Sequence, residues 1–241
     1  MRFIISIVIW VVGTILTATV IFVSRVLSKM PFPPDKREKI VHAQCFWWSD
    51  ALVSLNPYWN LEVSGLENID HKKTYVIVAN HQSLADIVLI YKIRTQFKWV
   101  AKKNLLKVPF IGGLLRVNNH ILLNRGDFAS IKKVYRAAAQ KLREGKSVLF
   151  FPEGTRSDTD DMNEFQNGAF KLAIREGKPI LPVFMGGTRE AIPKGSWVFK
   201  TKVSGKLTVL PPIDTTPYKI EDYARLRELI REKLNNLARA M

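Results

Sequence analysis

Residues 75–86 read Tyr75-Val76-Ile77-Val78-Ala79-Asn80-His81-Gln82-Ser83-Leu84-Ala85-Asp86. The first five are apolar and mostly β-branched or aromatic, the composition of a strand covered on both faces. Asn80 and His81 break the run, and from Ser83 the pattern SLADIVLIYKI takes helical spacing. A buried strand that feeds straight into a helix is half of a βαβ unit and points to an α/β fold.

The same alternation extends in both directions. Strands are predicted at Leu61–Val63, Tyr75–Ala79, Lys98–Ala101, Ile121–Leu123, Ser147–Phe151 and Ile180–Phe184. Crossover helices are predicted over 83–93, over DFASIKKVYRAAAQKLREG and over GAFKLAIREG, the last two stopping at Gly145 and Gly177. The expected architecture is a mostly parallel, mixed sheet flanked by helices, spanning residues 58–241. The terminal IEDYARLRELIREKLNNLARAM is amphipathic and basic, a helix docked to its own sheet with a solvated face or one lying on a membrane surface.

Upstream, Phe3 to Ser24 is an uncharged run of 22 residues, FIISIVIWVVGTILTATVIFVS. As a helix it would reach about 33 Å, enough to cross a hydrocarbon layer or to lie in one leaflet. A cleaved leader fits poorly, because the run is long and only Arg2 supplies a positive start. Arg25, Lys29, Lys36, Arg37 and Lys39 follow it and predict a cytoplasmic location for the rest of the chain, at the inner membrane. A second helix begins near Asp35 and carries Trp47 and Trp48, aromatic residues suited to an interface or to packing. Residues 1–57 are thus expected to form a two-helix membrane-anchoring motif.

Lys and Arg number 37 against 21 Asp and Glu, a net charge of +16. Such an excess favours anionic partners, above all a phospholipid surface, but does not choose among them. A basic membrane-bound protein without enzymatic activity is one alternative, whereas no nucleic-acid motif is present. The single cysteine, Cys45, excludes an internal disulfide framework. Four widely spaced histidines offer no ligand pair, and no metal site is expected.

His81 lies where the strand ends, at the edge where α/β sheets build their sites. Asp86, in the first turn of the next helix, can reach back to the imidazole, fixing its tautomer and stabilising the imidazolium. Ser83-x-x-Asp86 also matches a capping box, a purely structural role for Asp86. Phe151-Pro152-Glu153-Gly154-Thr155-Arg156-Ser157 follows the most apolar strand, VLFF. There Arg156 could clamp a phosphate, Gly154 allows close backbone approach, and Glu153 could orient Arg156 or bind a hydroxyl.

The ordered set NHQSLAD, FPEGTRS and Pro179-Ile180-Leu181-Pro182-Val183 resembles the glycerolipid acyltransferase family, typified by bacterial 1-acyl-glycerol-3-phosphate acyltransferases. Lys102 within Ala101-Lys102-Lys103-Asn104-Leu105, and Arg125 within Ile121-Leu122-Leu123-Asn124-Arg125, fall in further matching segments. The resemblance covers roughly Trp59 to Gly187. Asn104 and Asn119 depart from it, standing where relatives often carry Glu and Gly.

The resemblance implies transfer of a fatty acyl group from acyl-CoA or acyl-carrier protein, as co-substrate, to the sn-2 hydroxyl of 1-acyl-glycerol-3-phosphate, with no resident cofactor. His81 would be the base and Asp86 its partner, with Lys102 at the developing oxyanion. Arg125, Glu153, Gly154, Thr155 and Arg156 would seat the acceptor, which could instead be another lysolipid. A hydrophobic tunnel for the acyl chain is also implied.

Overall fold

The computed structural model describes residues 2–108, 111–124, 127–157, 161–192 and 196–241. Its helices are α1 (Arg2–Ser28), α2 (Pro34–Ser54), α3 (Ala85–Leu89), α4 (Ile111–Val117), α5 (Phe128–Arg143), α6 (Gly168–Glu176) and α7 (Tyr223–Arg239). The strands are β1 (Trp59–Ser64), β2 (Val76–Ala79), β3 (Phe97–Lys102), β4 (Ile121–Leu123), β5 (Ser147–Phe150), β6 (Ile180–Gly186) and β7 (Val203–Val209). They form one seven-stranded sheet in the order β1-β7-β6-β2-β5-β3-β4. The five strands from β6 to β4 are mutually parallel, while β7 runs antiparallel to β6 and carries β1 parallel to itself.

β2 is central, paired with β6 on one side and β5 on the other, and all four of its residues are buried. Because side chains alternate across a strand, Ile77 and Ala79 join a core with Leu149, Leu181, Trp48 and Leu89, under α2 and α3. Val76 and Val78 face the opposite core with Val134, Leu142, Phe170 and Leu226, under α5, α6 and α7. Leu226, Ile230 and Leu234 are fully buried, so α7 is docked on the sheet and its basic side is the solvated one.

Two elements were not expected from the sequence. β7 buries Val203, Gly205, Leu207 and Val209 in strict alternation, with Gly205 thinning the apolar signal. α4 contains two glycines and is short, so its propensity is low; Gly113 packs against Ile21 of α1 and Leu114 and Leu115 enter the core. The expected helix over 83–93 is divided, α3 passing into a 3-10 turn over Ile90–Ile93 that ends at Arg94 with φ 53°. Asn119, a departure from the family pattern, takes φ 49°, which glycine adopts most easily and asparagine tolerates best among the others.

α1 is long and apolar enough to cross a membrane. Yet it lies along the domain: Ser6 Oγ accepts from Phe199 N–H at 3.0 Å, Trp48 Nε1–H donates to Thr17 Oγ1 at 2.9 Å, and Val20 and Ile21 belong to the main core. Its buried residues are half polar, Ser6, Thr17 and Ser24 beside Ile9, Val20 and Ile21, while most of its exposed residues are apolar. Ser6, Thr17 and Ser24 face inward and are buried, whereas Phe3, Ile4, Ile7, Val11, Ile15 and Phe22 face outward and are exposed.

Candidate active site

The end of β2 delivers Asn80 and His81 to the rim where the carboxyl ends of the parallel strands gather. Asn80 is fully buried and bridges to β6, its Nδ2 donating to Met185 O at 2.7 Å and its Oδ1 accepting from Met185 N–H at 2.8 Å. This pair of hydrogen bonds ties the two strand ends together and fixes where the chain leaves the sheet.

His81 Nδ1 lies 2.8 Å from Asp86 Oδ2, and Asp86 is wholly buried. A carboxylate only accepts, so Nδ1 carries the hydrogen and Nε2 keeps its lone pair. The same oxygen also accepts from Gln82 N–H at 2.6 Å and Ser83 N–H at 2.8 Å. The bond from Ser83 is half of a capping box; the other half is absent, since Ser83 Oγ accepts from Ala85 N–H instead. Asp86 therefore does both things that the sequence left open, shaping the turn and holding the imidazole.

The segment after β5 completes the enclosure. Phe151 stacks on the His81 ring at 4.3 Å between centroids and 18° between planes. Gly154 turns the chain in the left-handed region at φ 71°, so that Ser157 N–H donates to His81 O at 2.9 Å. Glu153 Oε1 accepts from His81 N–H at 2.8 Å and Oε2 from Asn163 N–H at 2.9 Å. Both main-chain groups of His81 are thus held by residues about seventy positions away. Burial raises the Glu153 carboxyl above its ordinary range, and the bonds from His81 and Asn163 oppose that shift.

The structure brings His81, Asp86, Glu153 and Gly154 together. Lys102 is exposed at the end of β3 and lines a cavity of about 390 Å³ with Phe151, Glu153 and Gly154. Thr155 is exposed and Arg156 half-buried on the same loop, and Arg125 lies outside the described residues. Glu153, expected on substrate, has its two oxygens engaged by main-chain donors. Two residues that the NHQSLAD and FPEGTRS segments contain were given no part by sequence reasoning, Asn80 as the strand clamp and Phe151 as the stacking surface; their membership of the motifs was the available signal. An apolar cavity of about 300 Å³ opens between α1, α2 and α3, lined by Trp10, Gly13, Trp48, Leu52, Leu84 and Ile87 among others.

The acyltransferase family model matches residues 60–186, which hold both motifs. A chloroplastic 1-acyl-sn-glycerol-3-phosphate acyltransferase of Arabidopsis thaliana is 34% identical over 68% of this chain and 46% of its own length. The corresponding enzyme of Borreliella burgdorferi is 33% identical over 71% of this chain and 69% of its own length. The chain spans under half the length of the chloroplastic relatives it matches. The crystal structure of the 1-acyl-sn-glycerophosphate (LPA) acyltransferase PlsC from Thermotoga maritima superposes with a TM-score of 0.83 at 28% identity, covering 100% of this chain and 97% of that one. A match over more than half of the chain, carried by the segments that hold His81, Asp86 and Glu153, shows that it belongs to the acyltransferase family.

Proposed function

We propose that the protein transfers a fatty acyl group from acyl-CoA or acyl-carrier protein to the sn-2 hydroxyl of 1-acyl-glycerol-3-phosphate, making phosphatidic acid for phospholipid synthesis. The observation that carries this reading is the 2.8 Å pairing of His81 Nδ1 with buried Asp86 at the end of β2, which leaves Nε2 as a base. The acceptor hydroxyl gives its proton to Nε2 as its oxygen attacks the thioester carbonyl. Asp86 stabilises the resulting imidazolium, and collapse of the tetrahedral adduct expels the thiolate, which takes that proton. Only a thioester and an alcohol are consumed, so the reaction calls for no resident cofactor.

Glu153 acts as a positioning residue, holding the His81 main chain. Lys102, exposed at the mouth of the cavity beside Gly154, suits the acceptor's phosphate better than an oxyanion, with Arg156 and Arg125 as further phosphate ligands. The apolar cavity beside Leu84 would take an acyl chain. α1 supplies the membrane attachment: its outward face is apolar, and contacts from Ser6 to Ile21 hold about 22 Å of it against the domain. A helix so held lies in one leaflet, because crossing would carry the sheet into hydrocarbon. Arg25, Lys29, Lys36, Arg37 and Lys39, which follow the apolar run, support a domain seated on anionic headgroups at the cytoplasmic face of the inner membrane.

The test is acyl transfer by purified His81→Ala against a panel of acceptors. Loss of roughly 10²–10⁴-fold in turnover is expected, the ordinary contribution of a general base. Near-wild-type turnover would remove His81 from the chemistry. Wild-type protein should prefer lysophosphatidate to a lysolipid with a larger headgroup, and the reverse order would move the reading to that acceptor.

A further inference from the structure

A third cavity, of about 870 Å³, opens at the same rim on the other flank of β2, and the acyl-transfer scheme leaves it unused. Its wall is made by the end of β6, the starts of β1 and β7, the residue after the base and, at the end of α7 and beyond it, Ala238 and Met241, with Tyr58, Asn60, Gln82, Arg189, Lys202 and Ser204 as its polar lining. We propose that this cleft binds the phosphopantetheine arm of the thioester donor, a proposal that rests on the acyl-transfer reading.

The argument begins with topology. Direct transfer needs donor and acceptor at the base together, and β2 has two neighbours. The cavity with Lys102 and Gly154 lies on the β5 and β3 flank, whereas this cleft lies on the β6 flank, so the two polar substrates can approach from opposite sides. Gln82 follows His81 directly and lines the cleft, so a thioester entering here arrives next to the base. One packed cluster separates it from the apolar cavity: Val203 lines the cleft and packs with Trp59, Ile192 and Phe199, which line the other. An acyl thioester has this shape, an apolar chain on one side of the carbonyl and a polar arm on the other.

Chemistry narrows the choice further. The arm carries two amides and ends in a phosphate. The parallel register Asn60↔Ser204 sets two exposed polar side chains side by side at the rim, suited to amides, while Arg189 and Lys202 supply positive charge for the phosphate. The one acidic side chain in the lining, Glu190, is paired with Lys200 at 2.9 Å, and Lys202 is exposed.

The experiment measures KM with acyl-CoA, acyl-4′-phosphopantetheine, acyl-carrier protein and acyl-N-acetylcysteamine, the last lacking a phosphate, in wild type, Lys202→Glu and Arg189→Gln. Lys202 is exposed, so its reversal leaves the fold intact. Both variants should raise KM roughly tenfold for each phosphate-bearing donor, with KM for lysophosphatidate and acyl-N-acetylcysteamine unmoved. An equal defect with the truncated thioester, or one falling on lysophosphatidate, overturns the proposal. So does a defect confined to acyl-CoA, which would assign the charges to its nucleotide. Equilibrium binding of CoA alone is measured alongside, and its Kd should rise in both variants; an unchanged Kd counts against the cleft. If wild-type protein acylates nothing, the acyl-transfer reading fails, while this binding arm still tests the cleft.

Discussion

The imidazole of His81 is fixed from three directions before any substrate arrives: by Asp86 at Nδ1, by the Phe151 ring on its face, and by Glu153 and Ser157 at its main chain. A base whose rotamer is already ordered loses less entropy at the transition state. Asp86→Asn should keep the acceptor for the Gln82 and Ser83 amides yet present the ring with a group that cannot stabilise an imidazolium. A fall of roughly 10²–10⁴-fold in kcat is expected with little loss of thermal stability; a stability loss with activity intact would leave Asp86 as a cap alone. Glu153→Gln sets an NH2 group against one of two main-chain donors, and we expect kcat to fall while KM for lysophosphatidate holds. A KM effect with kcat preserved would return Glu153 to the acceptor. The His81–Asp86 pair was legible because the two stand five positions apart and a local turn closes the gap. The engagement of Glu153 was not, because its partner lies across the sheet and only the parallel pairing of β2 with β5 brings the two loops together.

At the scale of elements, the central strands were readable because burial on both faces leaves an unbroken apolar run, whereas β7 and α4 owe their structure to partners the local sequence does not show. One such tertiary tie fastens α2 to the sheet. Lys98 of β3 is wholly buried, paired with Glu38 of α2 and donating to Asn118 O at 2.5 Å, and Glu38 also pairs with Lys146 before β5. Removing Glu38 strands Lys98 in the interior, so Glu38→Gln should destabilise by about 3 kcal/mol in denaturant unfolding. Lys98→Met added to Glu38→Leu should recover much of that loss, and failure to recover it would mean the ion pair is not the source. His120, before β4, accepts from Trp99 N–H through Nδ1 at 3.1 Å. Burial, reinforced by the charges of His42 and Lys98, holds its pKa well below the ordinary value of 6.5. The unfolded chain then binds the extra proton first, so the neutral ring's contribution is present above pH 6.5 and is lost as pH falls below it, at about 1.4 kcal/mol per unit crossed. His120→Asn keeps an acceptor without the titration, and the drop in Tm between pH 7 and pH 5 should shrink; an unchanged slope would place the acid sensitivity elsewhere.

For the whole molecule, the question is what the outward face of α1 meets. The sequence showed 22 uncharged residues and could not say whether they cross a bilayer or lie along it. That depends on α1 docking along the domain, a property of the assembled fold. Because Phe3, Ile4, Ile7, Val11, Ile15 and Phe22 point away from the protein while Ser6, Thr17 and Ser24 point into it, the helix is built for an apolar medium outside and tight packing inside. Ile4→Glu, Ile7→Glu and Val11→Glu combined would place three charges in the acyl layer, at a cost of about 2.5–3.5 kcal/mol each near its centre, while disturbing no buried contact. That variant should leave the membrane pellet, stay folded, and bind vesicles only when they are anionic and salt is low, through the +16 net charge. Val20→Glu, by contrast, buries a charge in the main core and should unfold the protein. A triple variant that stays in the pellet at 1 M salt would show that α1 is not the seat of attachment, and the exposed aromatic residues Trp47, Tyr58 and Trp197 would be the next surface to charge.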